Sequence, residues 1–532
     1  MYLKNVLGKF YLKYLKGLFL PRDLIKYALK KHHGRISIIY GKKKITCGRL
    51  YERAKKLANA FSGLGLQKGD RIAVFLRNCP EYFEIRAASY LSGAVLVPVV
   101  WDTGSGDLVF ILNDCGIKLL FYHEDLPEEK RANIRKKTKI KYFVKVPKTG
   151  NPPGRGNDIA YEELLLKYAA SEPQIELTGD DPASINFSSG TTGRPKGIKL
   201  LQKSWVNSFY NYVLNSTKTR REEFCVFHSL SLATAGGTAF LPALFLGAKN
   251  VIADKFDAKE SVSLIMKNRV NNIFMSPGYF MPFLEYCKTA NIKPALSNII
   301  IGTEPMPGEK FKEAIEFFGP VVQEGYGMAE VLPPLCLLSP KDYMLPGGKV
   351  REGVLFSVGR PLKGVRIKIL NEKIEKCPVG KIGKIAVKSS SVSCGYWNNP
   401  DLTRAHYKKG WFYSDDYGYF DSEGYLYIMG REKDILSRRG EKFVFAREVE
   451  EILHTHPYVS EACVLSGNDK KIRAFVSLKK EFPGFKPEEL IKFCGDKTDK
   501  NAVPETVYIV PELPKNESGK IDRKKIRKSA II

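Results

Sequence analysis

Between Asn186 and Leu200 the chain reads NFSSGTTGRPKGIKL, which places four hydroxyls (Ser188, Ser189, Thr191, Thr192), three glycines (Gly190, Gly193, Gly197) and the Arg-Pro-Lys that ends in Lys196 in a single short stretch. Glycines let a backbone turn its N–H groups toward one point, the hydroxyls add donors, and the lysine adds charge. Together these groups suit the oxygens of a polyphosphate. The stretch is not a Walker loop, which needs glycine directly before the lysine, because Pro195 stands there. The bland alternative is a solvated Gly/Ser/Thr turn. A proline stiffening the backbone just ahead of a lysine has little use in a flexible linker.

The flanks SINF and GIKL read as strand pieces, so the polar residues lie on the loop between them. Upstream, a helical pattern from about Leu50 to Leu64 is followed by an apolar strand RIAVFL, a helix after Cys79 and a second strand AVLVPVV. Alternating units of this kind argue for parallel sheets covered by helices. The segment KTGNPPGRG, residues 148–156, is a Pro/Gly-rich surface loop. Further α/β alternation runs from Ser204 to Gly319, and GVRIKIL with GKIGKIAVKS forms a small β-rich unit. From Gly430 the texture changes to that of a compact final domain of about a hundred residues. The resulting division is an N-terminal extension over 1–34, a large domain over 35–430 and a small domain over 431–532.

A chain of 532 residues with 44% hydrophobic and 27% charged side chains has the balance of an ordinary globular protein. Its longest apolar runs fall short of the ~18 residues needed to span a bilayer. Ten cysteines without a C-x-x-C pair and seven scattered histidines indicate neither a zinc site nor a disulfide framework, and reduced thiols fit a cytoplasmic location. The net charge of +28 admits anionic partners, but the lysines are spread along the whole chain and no nucleic-acid-binding pattern appears, so no nucleic-acid partner is expected. Near the start, Leu3, Leu7, Phe10, Tyr11, Tyr14, Leu15 and Leu18 share one face at helical spacing, with Lys9, Lys13 and Lys16 opposite. Such a helix either makes a peripheral membrane contact or packs on the body of the protein.

Four further stretches join the opening loop: GYGMAE (325–330), WFYSDDYGYFDSEGYLYIMGREKD (411–434), GEKFVFAREVEEIL (440–453) and PKNESGKIDRKK (514–525). In this order and at these separations they resemble the acyl-adenylate-forming superfamily of acyl-CoA synthetases, luciferases and peptide-synthetase adenylation domains, over nearly the whole chain after about residue 35. The resemblance implies a large N-terminal domain of α/β subdomains plus a β-barrel-like subdomain, and a small mobile α+β C-terminal domain. It implies ATP, Mg2+ and coenzyme A as cofactors, and two half-reactions. A carboxylate attacks the α-phosphate of ATP to give acyl-AMP, and a thiol then displaces AMP.

The residue roles implied by the resemblance make chemical sense. Joining a carboxylate to a triphosphate crowds two anions, which calls for positive charge at the point of attack. Lys520 matches the family's lysine that bridges the two, and Ser188, Ser189, Gly190, Thr191, Thr192, Gly193 and Lys196 hold the departing phosphates. Glu330 matches the Mg2+ carboxylate, a hard oxygen ligand. Tyr326 lies against adenine, with Gly327, Met328 and Ala329 in the same stretch. Asp416 takes the ribose hydroxyls, and Arg431 makes a second ribose contact. Gly302, Thr303 and Glu304 line the adenine and acyl pocket. Lys433 is the pivot of the small domain between half-reactions, and Gly440 belongs to the face that forms the thioester.

Three departures from the family pattern stand out. Ala329 replaces a common Thr, as in some fatty-acid-activating branches. SDD at 414–416 replaces T-G-D, and the segment 434–448 is one residue longer than usual. In the region of the acyl pocket, ATAGGTA (Ala233 to Ala239) is a run of small residues, serving either close packing or ligand space. Read as space, Thr234, Gly236, Gly237, Gly302 and Gly325 contact the acyl group. The sequence thus points to a small-molecule carboxylic acid, expected to be a fatty acid and, if the run is space, a long or bulky apolar one, activated with ATP and passed to coenzyme A. The alternatives are an aromatic acid, or a carrier protein's phosphopantetheine as acceptor.

Overall fold

The computed structural model describes residues 18–147, 158–188, 194–215, 224–439, 442–467, 469–479, 485–498, 502–516 and 519–529. The alternating units of the first part pair into two sheets. One has seven strands in the order Ile159–Ala160, Tyr142–Val146, Leu119–His123, Arg71–Phe75, Val95–Pro98, Pro182–Ser188, Lys196–Leu201, parallel except for the last pair. The other has nine, with a parallel centre built from Val322–Tyr326, Asn298–Gly302, Asn272–Met275, Cys225–His228 and Lys249–Ile252. Strands buried on both faces read as near-continuous apolar runs, as RIAVF and NIIIG do.

Local chemistry sets the helices that lie between the sheets. Thr46 caps Cys47–Gly63 by accepting from Arg49 N at 3.2 Å, and Leu50, Ala54, Leu57 and Phe61 recur on its buried face. Pro80 opens Pro80–Ser92, and Gly93 closes it in the left-handed region at φ 71°. Every residue of that helix is buried, including charged ones. Glu84 there accepts from Arg53 Nε at 2.8 Å and from Tyr161 Oη at 2.7 Å, so the charge inside the core is paired.

The helix Pro21–Lys31 buries Leu24, Ile25, Ala28 and Leu29 in the same core, and Leu18 O accepts from Tyr210 Oη at 2.9 Å. The body of the large domain therefore already contains residues assigned above to a separate extension, because their apolar face has a partner. The amphipathic pattern before Leu18 lies outside the described residues, as does the 148–156 loop. No helix among the described residues is long and apolar enough to cross a membrane.

The small β-rich unit is a five-stranded antiparallel sheet built on Arg366–Leu370, Gly383–Lys388, Trp411–Phe420 and Leu426–Arg431. A 3-10 turn, Glu432–Asp434, leads from it into the small domain. There a ribbon (Ile435–Arg439 with Lys442–Phe445) and a three-stranded sheet pack helices around Val449, Leu453, Val464, Val476 and Leu490. The small domain rests on the large one through Arg447, which donates to Ile428 O, and Glu451, which accepts from Gly308 N at 3.2 Å.

Candidate active site

Parallel sheets place their ligands at the carboxyl ends of their strands. A cavity of about 730 Å³ opens there, between the two large sheets, the antiparallel sheet and the small domain. The hydroxyl-rich loop is the tip of the hairpin Pro182–Ser188/Lys196–Leu201, whose last register pair is Ser188 with Lys196. Both line the cavity. Ser189, Gly190, Thr191, Thr192 and Gly193 lie outside the described residues.

Tyr326 ends a strand of the nine-stranded sheet, and its Oη donates to Asp416 Oδ2 at 2.7 Å. Arg431, the register partner of Asp416 on the next antiparallel strand, donates from Nε to Oδ1 at 3.2 Å. A carboxylate held at both oxygens is a fixed acceptor for paired hydroxyls. Glu330 also lines the cavity, where burial pushes its carboxyl up and Tyr396 Oη donates to Oε1 at 3.1 Å. A half-buried carboxylate on the cavity that also holds Ser188 and Lys196 is a hard oxygen ligand that would suit Mg2+. No group of three or more metal-ligating side chains occurs among the described residues, so Glu330 would supply a single carboxylate to such an ion.

Lys520 enters the cavity from the small domain. Its loop turns at Gly519, φ 73°, and is closed by Asn516 N donating to Lys520 O at 2.9 Å. Burial lowers the Lys520 pKa, opposed by the charge of Glu304. The loop docks backbone to backbone: a Cβ on Gly278 would stand 1.6 Å from Gly519 O. Only glycine permits that approach.

Thr234, Thr303, Gly325, Gly327, Met328 and Ala329 also line the cavity. Gly302 does not: its place beside Gly325, where a Cβ would meet Gly325 O at 2.9 Å, is one of strand packing. Glu304 sits behind the wall, its carboxyl pushed up to about 7 by burial against the opposing charge of Lys520. Gly236 and Gly237 are corrected to packing positions. They lie in the 3-10 turn Ala235–Ala239, where added Cβ atoms would meet Leu230 O at 2.6 Å and Leu232 O at 2.5 Å. Asn78 and Arg86 clamp this turn by bonding Leu230 O and Leu232 O at 3.0 and 2.9 Å. Ala235, Thr238 and Ala239 of the turn, and Ala233 just before it, line the cavity instead. Lys433 lies in the interdomain turn rather than in the cavity wall, and Gly440 is outside the described residues.

Sequence reasoning missed Tyr396, which is 66 positions from Glu330, and three amides on the cavity wall, Asn272, Asn298 and Gln323. The amides left a signal: each stands two residues before a cavity residue on its strand, namely Phe274, Ile300 and Gly325, and period two puts both on one face.

The fold agrees with what the chain is similar to. The chain belongs to the AMP-binding enzyme family, whose model matches residues 25–397, and the model of the AMP-binding enzyme C-terminal domain matches residues 448–520. A 2-succinylbenzoate–CoA ligase of Bacillus licheniformis is 30% identical, across 92% of this chain and 96% of its own. A medium/long-chain-fatty-acid–CoA ligase of Mycobacterium tuberculosis is 28% identical, across 95% and 89%. The solved structure of an o-succinylbenzoate coenzyme A synthetase from Bacillus subtilis, in complex with ATP and magnesium ion, superposes with a TM-score of 0.79 at 26% identity, covering 95% of this chain and 99% of that one.

Proposed function

We propose that the protein is an ATP-dependent acid–coenzyme A ligase acting on a compact, aryl-sized carboxylic acid. The observation that carries the reaction type is the burial of Lys520 in the same cavity as Lys196, Glu330 and the Asp416–Arg431 pair. One carboxylate oxygen of the acid forms a bond to the α-phosphorus of ATP as the bond to pyrophosphate breaks. Lys520 offsets the charge brought together at the point of attack, and Lys196 with Ser188 receives the departing pyrophosphate. Mg2+ held at Glu330 neutralises phosphate charge when bound. In the second step the sulfur of coenzyme A bonds to the acyl carbon, AMP leaves, and the thiol proton is released.

The size of the acid is read from the inner cavity. Tyr212, Phe274, Ile300 and the small side chains of Ala233 and Ala239 give it an apolar body, and the amides of Asn272 and Asn298 stand across its inner end. An amide wall suits a compact acid better than the long alkyl chain that Ala329 suggested. The 2-succinylbenzoate–CoA ligase relatives support this reading. The test is coenzyme A-dependent AMP release across benzoate-type, phenylalkanoate and C8–C16 fatty acids, with the acyl-CoA product identified by mass. The highest kcat/KM is expected among aryl acids. A maximum at C14–C16 would restore the fatty-acid reading, and thioester formation only on a carrier protein would replace coenzyme A as acceptor.

A further inference from the structure

The inner wall of the acyl cavity is one face of the nine-stranded sheet. Asn272 is in register with Asn298, and Ile300 with Gln323, so Asn272, Asn298 and Gln323 present their side chains to the same side as Phe274, Ile300 and Gly325. All three amides line the cavity and are nearly closed off, at 3%, 5% and 3% exposure. Gln323 Nε2 donates to Asn298 Oδ1 at 2.5 Å. Asn272 is different. Cys225 N, which can only donate, bonds Asn271 Oδ1 at 3.0 Å, and Asn272 Nδ2 bonds that same oxygen at 2.7 Å. The chain of donors fixes which end of the Asn272 amide is oxygen, and that Oδ1 has no hydrogen-bond partner among the described residues. A buried carbonyl oxygen without a partner is an exception that calls for an explanation. The Asn272 side chain that carries it lines the cavity.

Charge narrows the ligand further. The strands Asn272–Met275 and Asn298–Gly302 carry no charged side chain, and the cations lining the cavity among the described residues, Lys196, Arg431, Lys520 and Lys525, come from the phosphate hairpin, the ribose strand, the lysine loop and the helix Arg523–Ser529. A distal carboxylate on the acid would meet an acceptor oxygen and no counter-charge.

We infer that Asn272, with Asn298 and Gln323 beside it, recognises a neutral hydrogen-bond donor, a hydroxyl or N–H, at the end of the acid remote from its activated carboxyl group. Asn272 and Asn298 open the strands Asn272–Met275 and Asn298–Gly302, so the donor lies at the end of the cavity away from the carboxyl ends of those strands. The inference rests on the acid–coenzyme A ligase reading and names the acid's chemical class.

The experiment uses the full-length enzyme with ATP, Mg2+ and coenzyme A and compares kcat/KM within matched sets. These are alkanoates, ω-hydroxyalkanoates and α,ω-diacids from C8 to C12, together with 3-phenylpropanoate and 3-(4-hydroxyphenyl)propanoate. The hydroxylated acid is expected to lead its set by about 10-fold or more at the length that reaches Asn272. Asn272→Leu, close in volume, is expected to bring that ratio to about 1. Ratios within about 2-fold in every set for an enzyme that turns these acids over would overturn the inference and leave the ligase reading standing. A ratio that survives Asn272→Leu would overturn the role of Asn272. Should that variant fail to fold, Asn272→Asp supplies the second measurement: turnover of the ω-amino acid is expected to rise relative to the ω-hydroxy acid, and no change counts against the assignment. Absence of AMP release and pyrophosphate exchange with every acid would defeat the ligase reading itself, and this inference with it.

Discussion

Tyr326 and Asp416, 90 positions apart, meet in a 2.7 Å hydrogen bond that ties the end of a strand in the nine-stranded sheet to the antiparallel sheet. The bond occupies Oδ2 of Asp416 while Arg431 occupies Oδ1. The carboxylate reaches its ligand already oriented, and the ring of Tyr326 is held in the cavity by its own hydroxyl.

Tyr326→Phe keeps the ring and removes that bond. Losing one hydrogen bond to a charged group costs about 1.5–3 kcal/mol at full strength, and less where Arg431 still holds the carboxylate. KM for ATP is expected to rise by about 5- to 10-fold with kcat little changed. Steady-state kinetics at saturating acid give the answer, and an unaltered KM would show that the bond does not orient Asp416 for nucleotide.

The lowered pKa of Lys520 predicts an alkaline limb in the adenylation half-reaction. The group must be charged to act, so activity is expected to decline on the alkaline side before an ordinary lysine would lose its proton. Lys520→Ala should reduce carboxylate-dependent pyrophosphate exchange by about 100-fold or more and spare thioester formation from supplied acyl-AMP. Lys520→Arg, if it retains exchange, should lose the alkaline limb. Equal loss of both half-reactions in the alanine variant would refute the assigned role.

Gly278→Ala puts a methyl group where Gly519 O now lies. The lysine loop cannot then dock as it does, so pyrophosphate exchange should fall by about 10-fold or more while the fold and the second half-reaction persist. Circular dichroism with half-reaction assays separates these effects. An alanine variant with full exchange activity would mean that the close backbone contact is dispensable.

Glu324 is buried at the back of the same strand as Tyr326, and burial pushes its carboxyl up to about 8, with Arg447 opposing. The folded form therefore holds a proton that the unfolded chain releases near pH 4.3. Stability from this group is full below that pH and is lost as pH rises toward 8. Glu324→Gln removes the dependence, so it should raise Tm by about 2 °C or more at pH 8 and by less at pH 5. Thermal unfolding at the two pH values decides it, and a gain of equal size at both would point to packing.

Much of this protein is determined by local sequence. The pairing of SINF with GIKL around the hydroxyl-rich loop, the helix closed by Gly93 and the change of texture near Gly430 follow from period, turn chemistry and composition, which act over a few residues. The expectation that Lys196, Glu330, Asp416, Arg431 and Lys520 serve one site came from five stretches taken together, each of them weak by itself. Tertiary structure decided what depends on distance in space. Whether Ala233 to Ala239 meant room or packing turned on Asn78 and Arg86, more than 140 positions away, which leave Gly236 and Gly237 against carbonyls and turn the alanines to the cavity. Likewise, that Asn272, Asn298 and Gln323 form one wall followed only from the register of three parallel strands. Side-chain period tells which face a residue takes along its own strand, whereas the pairing that brings separate strands together is set by the packing of the whole core.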